Sequence, residues 1–425
     1  MKVLIVGGGL GGLCLANGLH KEGVEVRVFE RHPSAESDKQ GYFIHLEGQG
    51  REALQRCLNE QGWERFLATS TSAGSTWAFR DPQLQLIAMR DDVKITGKPA
   101  EVVERRAIIR WEFRSVLLKA LGSEESEIVQ WDKTFTHYEE IEGGRVLACF
   151  ADGTTEEGDI LVGADGSKSK VREQRLPYLH REDLGIVIIC GQCSMNETSS
   201  CDLPLFMKDC SLNNIIPYGK GWLFVTSWCT QGSLKNEHAD SHDDYTLWAY
   251  FVPKDDTPPN MTKLSAAELR DIVLGGVRGW ASSINDIVQK ANLSTIVPVY
   301  LRCAPHLEHW DSSNITLIGD AIHNMTPAAG VGANTALRDA QILTDLLVES
   351  ARGKTSVAEA IGKYEAKMRP YANAAVALSR QIAESATSSS LFQRFMFRTV
   401  LRLAQASPFV MRATIGRGAV ESYMK

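Results

Sequence analysis

Little in this chain is present in excess. Proline is sparse, 14 residues in 425, and 35 glycines add no low-complexity or collagen-like stretch. No run reaches the roughly 18 to 20 consecutive apolar residues that cross a bilayer, so no membrane span is expected. A basic excess is missing too: 46 Lys and Arg stand against 52 Asp and Glu, a net charge of −6. On that balance neither nucleic acid nor an anionic membrane, which usually require a basic face, is expected as a partner. The nine cysteines are odd in number and scattered, which excludes a disulfide framework and fits a reducing, cytoplasmic setting. Cys190 and Cys193 form a lone Cys-x-x-Cys with no second half-site, next to the strand-like run Ile186 to Cys190, where residues three apart face opposite sides. His306 and His309 have no carboxylate at a telling spacing and read as surface residues, so no metal site is expected. Because strand-like Val3 to Val6 follows Lys2 directly, no signal peptide is expected, and the sequons at Asn196, Asn260, Asn292, Asn314 and Asn324 read as accidental.

What is present is ordinary globular usage, 44% hydrophobic and 23% charged, in a length that suits two or three domains. The first 31 residues carry the clearest pattern. An apolar run leads to Gly7-Gly8-Gly9-Leu10-Gly11-Gly12, an amphipathic stretch follows to Lys21, and Val24 to Phe29 alternates. This predicts strand, helix and parallel strand, the right-handed β-α-β unit. Within Gly7-x-Gly9-x-x-Gly12 the first glycine permits the tight turn, the second lets amides approach a pyrophosphate, and the third lets helix and strand pack closely. Glu30, at the end of the second strand, suits the ribose hydroxyls of FAD or NAD and repels a 2′-phosphate.

A second cluster separates those two cofactors. Ile315 to Ile318 is a buried-strand pattern delivering Gly319-Asp320, and the loop Ala321 to Asn334, rich in glycine, opens a helix predicted from Ala333 to about Arg352. Such a helix start favours an anion, and the far end of a reduced flavin is one. Elsewhere a helix is expected from Ile108 to Leu121 and strands at 146–155, 160–164, 185–190, 222–228 and 245–252. The polar stretch Gln231 to Asp244 interrupts them, and a helix from Val357 to about Ser385 bends at Pro370. The expected fold is α/β: a Rossmann-like domain from 1–75, 100–180 and 303–355, an inserted, mostly antiparallel β-sheet substrate domain from 76–99 and 181–302, and C-terminal helices over 356–425.

Together, GGGLGG with Glu30, the Ile108 to Arg114 run, Asp159 to Gly166 with Val171-Arg172, and Gly319-Asp320-Ala321-x-His323 through Pro327 and Gly330-x-Gly332-x-Asn334 resemble the single-component FAD-dependent aromatic hydroxylases, of the p-hydroxybenzoate and salicylate hydroxylase type. The Arg110 helix and Ser169 to Arg172 are most similar to the tetracycline-inactivating flavin monooxygenases. Val331 stands where that family usually has Gln, and the common Arg-x-Gly after Gln40 is missing. The resemblance implies that Gly7, Gly9, Gly12 and Glu30, with Arg31 beside it, hold the ADP half of FAD. It also implies that Arg110 contacts the phosphate or ribityl region, that Asp320 bonds the ribityl chain, and that Gly330, Val331, Gly332 and Asn334 lie along the isoalloxazine with Pro327 near its reactive part. Asp165 and Gly166 match a motif associated with FAD and nicotinamide. Bland readings remain open for Arg110 as a solvent-facing helix residue, for Asp165-Gly166 as a strand-ending turn, and for His323 as a packed core histidine.

The implied activity is oxygen insertion from O2 through a flavin C4a-hydroperoxide, with NADPH or NADH as a transient reductant, since no second GxGxxG is present. The substrate is a small molecule. Trp222, Phe224 and Tyr250 are its candidate contacts, in a set with Trp228 and Trp248. Another flavin oxidoreductase, or a flavoprotein that only sequesters a ligand, is the alternative; the halogenase pattern Trp-x-Trp-x-Ile-Pro is absent.

Overall fold

A computed structural model describes residues 1–37, 42–73, 76–103, 105–195, 203–208, 210–228 and 244–416. Asn196, Gln40 and the polar stretch 231–243 lie outside the described residues. The chain divides into two compact units. One comprises residues 1–70, 107–182 and 302–380, the other residues 71–106, 183–301 and 381–425.

The first unit is built on a five-stranded sheet in the order Ile315–Leu317, Ile160–Gly163, β1 (Lys2–Val6), β2 (Glu25–Phe29) and Val129–Gln130, and all its neighbouring pairs are parallel. Strands of this kind are covered on both faces, which is why β1 is a continuous apolar run whose Val3, Leu4 and Ile5 are fully buried. Helix α1 (Leu10–Lys21) crosses between β1 and β2 as the sequence pattern predicts. A second, antiparallel sheet of Phe135–Ile141, Arg145–Phe150 and Thr155–Gly158 belongs to the same unit. Two helices, Gly332–Ala351 and Val357–Thr387, follow the last parallel strand, and the second continues unbroken through Pro370.

The second unit carries a seven-stranded sheet in the order Val297–Cys303, Glu182–Ser194, Tyr245–Pro253, Trp222–Trp228, Leu212–Ile215, Thr76–Arg80 and Leu86–Asp91. From Glu182–Ser194 onward the pairs are antiparallel, apart from the parallel pair of Leu212–Ile215 with Thr76–Arg80. One face packs Val187, Ile189, Leu223, Val225, Trp248 and Tyr250 into a core. Cys190 and Cys193 are buried, unbridged, and directed at different carbonyls, those of Val297 and Lys290. His306 and His309 are exposed. The whole is the expected mixed α/β arrangement, with a parallel Rossmann-like sheet, a mostly antiparallel sheet and C-terminal helices. No helix among the described residues is long and apolar enough to cross a membrane.

Three local differences have physical reasons. The helix expected from Ile108 starts at Arg110, because Arg106–Ile109, ending in two β-branched residues, is a strand. Phe135–Ile141 is a strand whose charged positions face outward and dilute its apolar signal. The helices Ala266–Gly276 and Ser282–Gln289 lie in the stretch expected to be mostly antiparallel sheet, and Ser265 with Glu268 forms a capping box that starts the first of them.

Gly12 is where α1 rests on the sheet: a Cβ there would lie 2.2 Å from the Gly7 carbonyl oxygen and 3.2 Å from Ala164 Cβ. Gly12→Ala is therefore expected to cost about 1–3 kcal/mol of stability, read as a lower urea midpoint, and an unchanged midpoint would contradict this packing.

Candidate cofactor-binding site

At the end of β1 the three motif glycines occupy three different environments. Gly7 has φ +112°, donates its N–H to Phe29 O at 2.8 Å, and leaves no room for a Cβ, which would meet Ala164 O at 2.3 Å. Gly12 is closed by backbone in the same way. Gly9, the N-cap of α1, has nothing within 4 Å of its Cβ direction and so faces open space. Its helix starts with no side-chain cap and no acidic residue in the first turn, so the first N–H groups, which lack intrahelical acceptors, are left for a ligand.

Glu30 is 7% exposed. Its Oε2 accepts from Gly8 N at 2.8 Å and its Oε1 from His32 N at 3.0 Å, so the carboxylate ties the glycine turn to the end of β2. Two oxygens with about four lone-pair sites still leave room for a diol. Arg31 is exposed. Arg114, quoted within the sequence motif but not singled out there, donates through Nε to Gly8 O at 2.9 Å and through Nη1 to Ala35 O at 3.2 Å. Its Nη2 is buried with no hydrogen-bond partner, 3.8 Å from Glu30 Oε2. Asp165 follows the strand Ile160–Gly163; Oδ2 accepts from Lys170 N at 2.7 Å, whereas buried Oδ1 has no partner. Burial pushes this carboxyl up, against the pull of Ser169, Lys170 and Val171. Gly166 beside it has φ +79°.

The second loop lies next to the first. A Cβ on Gly11 would stand 3.4 Å from Ala336 Cβ, so the starts of α1 and of Gly332–Ala351 are side by side. The latter helix also begins with no side-chain cap and no acid in its first turn, with Val331 as N-cap. Asp320, Pro327 and Gly330 are exposed, and Val331, Gly332 and Asn334 are half-buried. Gly330, at φ +66°, has open space along its Cβ direction. Asp320 is exposed, yet desolvation by its surroundings pushes its carboxyl up, while His323, Asn324, Arg110 and Arg181 pull it down. Arg110, the first residue of its helix, thus reaches the second loop electrostatically. Asn334 acts inward, its Oδ1 accepting from Glu47 N at 2.9 Å and its Nδ2 donating to His45 O at 3.0 Å. It clamps the Phe43–Leu46 strand rather than presenting an amide to the groove.

Beneath this loop a buried network holds its shape. Asp339 Oδ2 accepts from Gly319 N at 2.7 Å and faces His323 Nε2 at 2.6 Å, and Oδ1 accepts from Tyr371 OH at 2.5 Å. His323 and Asp339 are fully buried. Burial pushes the imidazole pKa down, yet the Asp339 carboxylate outweighs it and holds the imidazole above its ordinary value. His323 is thus a core residue of the loop.

These features fit a dinucleotide with a second anionic end: two uncapped helix starts, open space at Gly9 and Gly330, and Arg114 Nη2 and Asp165 Oδ1 without hydrogen-bond partners.

In the second unit the three substrate candidates do not share a face. Register pairs Leu223 with Tyr250 and Trp222 with Phe251, so Tyr250 points into the core and Trp222 and Phe224 point to the opposite side. That opposite side also carries Trp77, Phe79, Asn214, Thr226 and Trp228. Trp222 Nε1 donates to Asn214 Oδ1 at 2.9 Å, while Trp77 Nε1, Asn214 Nδ2 and Thr226 Oγ1 are buried with no hydrogen-bond partner.

The sequence profile of a family described as an FAD binding domain matches residues 1–180 and 290–379. A solved protein of Photorhabdus luminescens subsp. laumondii TTO1, assigned as an FAD containing monooxygenase, is 39% identical with a TM-score of 0.82, over 91% of this chain and 98% of that one. The dual O-methyltransferase/FAD-dependent monooxygenase CTB3 of Cercospora beticola is 29% identical over 86% of this chain, which spans only 44% of that protein's length. The FAD-dependent monooxygenase thnD of Trichoderma harzianum is 26% identical over 92% of this chain and 95% of its own.

Gly9→Ala should leave the unfolding midpoint of the FAD-free protein unchanged and weaken FAD binding at least about tenfold, because the added methyl fills ligand space only; unaltered affinity in a titration would contradict the assignment. A raised histidine pKa stabilises the folded state fully below its unfolded value of about 6.5, and that stabilisation is lost as pH rises through the folded value. Melting curves of the FAD-free protein should therefore fall from about pH 6.5 upward, and His323→Gln should flatten that part of the profile; identical slopes would show that His323 is not the titrating group.

Proposed function

The chain belongs to the FAD binding domain family, and from that premise we propose that it is a single-component aromatic hydroxylase that uses NAD(P)H and O2 to insert one oxygen atom into an aromatic, phenolic, enolic or polycyclic small molecule. The observation that carries this reading is the pair of adjacent, uncapped helix starts, each with an open glycine, in one unit. Bound FAD supplies the electron transfer from nicotinamide and the activation of O2.

The chain's own residues then bind and orient. The α1 amides around Gly9 receive the pyrophosphate, and the acceptor capacity left on Glu30 takes the ribose hydroxyls. Arg114 Nη2 has a free donor for the same half of the cofactor. Asp320, held among His323, Arg110 and Arg181, accepts from the ribityl chain. The helix start at Val331 and Gly332 gives positive potential to the polar edge of the isoalloxazine, and the exposed Pro327 and Gly330 flank the ring. Val331 in place of a Gln keeps the backbone donors and removes a polar side chain. Asp165 Oδ1 and Gly166 are the contacts proposed for the cofactor's central part. Since the sequence has one GxGxxG, the nicotinamide is a visiting reductant.

For the substrate we assign the face of Trp77, Phe79, Trp222 and Phe224. Its aromatic surface suits a planar molecule, and its unpartnered Trp77 Nε1 and Asn214 Nδ2 suit oxygen acceptors on that molecule. Tyr250, in the core on the other side, supports the sheet and is not proposed as a contact.

The purified protein should be yellow, and phenolic or polycyclic substrates should accelerate its NADPH or NADH oxidation. Under 18O2 the product should gain one labelled oxygen. Label entering only from water, or NAD(P)H oxidation that yields peroxide alone with every compound in a broad panel, would overturn the oxygenase reading.

A further inference from the structure

The helix Leu391–Ala406 has its polarity turned inside out. Arg394 and Arg398 are 4% and 3% exposed, whereas Phe392, Phe395, Met396 and Leu403 are 71%, 60%, 42% and 54% exposed. The buried arginines are committed to backbone carbonyls. Arg394 donates to Ser388 O at 2.7 Å, Ala386 O at 3.0 Å and Gly221 O at 3.2 Å; Arg398 bonds Ile216 O and lies 3.8 Å from the Tyr218 ring centroid. The helix is thus anchored by its charged side, and Leu401 and Ala404 complete that inner face. Positions 392, 395, 396 and 403 fall on one outer stripe, and Phe409 in the next helix is 81% exposed.

The segment's own charge is of one sign. From Ser385 to Val420 the sequence contains five arginines and no Asp or Glu, in a chain whose net charge is −6. Arg402 and Arg412 are exposed beside the phenylalanines. A net acidic chain that keeps its acids out of one segment, and fills the outer face of that segment with aromatic and basic residues, has a local surface unlike its average.

We propose that this face is a reversible docking site for an anionic lipid surface, with Phe392, Phe395 and Phe409 entering the acyl boundary and Arg402 and Arg412 meeting the head groups. Aromatic residues flanked by arginine are the composition of helices that lie in the plane of a bilayer. A second copy of the chain is the weaker occupant. A face one helix wide and about 24 Å long offers roughly 240 Å², against about 800 Å² per partner in a stable dimer. Docking through this face is independent of oxygenase activity.

The test uses the full-length, FAD-loaded protein in sedimentation with vesicles of phosphatidylcholine alone or mixed with phosphatidylglycerol, at low and high salt. Binding is expected on the phosphatidylglycerol vesicles, weakened by salt. It should fall at least about tenfold in the Phe392→Ser, Phe395→Ser double variant and about fivefold in Arg402→Glu, with FAD content and melting temperature unchanged. No binding by the wild-type chain, binding that both variants retain, or a concentration-dependent dimer without vesicle binding that Phe395→Asp dissociates would each overturn it. Should the double variant lose its FAD, Arg402→Glu and the salt dependence decide.

Discussion

Two helices begin next to each other with neither a capping side chain nor an acid in the first turn, and the rest of the first unit is arranged around that fact. Each start carries a partial charge of about half a unit, and neither α1 nor the Gly332–Ala351 helix softens it with a capping side chain or an acid in the first turn. Like ends in contact repel, so the pairing has to be enforced by packing. Between the helices that packing is Gly11 against Ala336, while Gly7 against Ala164 and Gly12 against Gly7 seat α1 on its own sheet. An anionic ligand along both starts relieves the repulsion that the packing imposes.

Buried carboxylates in this unit act as staples between elements rather than as reagents. Glu30 joins the turn after β1 to the end of β2 by accepting from Gly8 and His32. Asp339 joins its own helix to the second loop through Gly319 and His323 and to the following helix through Tyr371. Both groups are fully engaged with the protein on at least one side, so the shape of each loop is set before a cofactor arrives. Proteins whose cofactor carries the chemistry need little else from their acids, and no triad, metal cluster or catalytic carboxylate pair is needed to account for this chain.

The parts of the fold legible in the sequence are those where a single residue type is required by sterics. The spacing of Gly7 and Gly12 announces the tight turn and the close packing of helix on strand, and the buried strand ending before Gly319-Asp320 announces the second loop. Arg114 was less visible because a helical arginine one turn after Arg110 has the same local context, and only the turn of chain at Gly8 distinguishes them. The split of Trp222 and Phe224 from Tyr250 is a matter of register, which alternation within one strand does not contain. Asn334 spends its amide on the backbone of residues 45 and 47, contacts across 289 and 287 residues that local spacing does not contain. The Leu391–Ala406 helix shows amphipathic spacing, but periodicity does not say which stripe is buried, and here the arginines are. The Ser265 to Glu268 capping box was present in the sequence and outweighed by the β-rich texture around it.

The central claim is that one FAD molecule lies along both helix starts. Hydrogen exchange of the apoprotein with and without FAD tests it directly, at the level of the amides concerned. Slowed exchange in both the 8–13 and the 330–336 segments, saturating together at one equivalent of FAD, is the predicted result. Protection of only one segment, or equal protection of both by NAD, would contradict it.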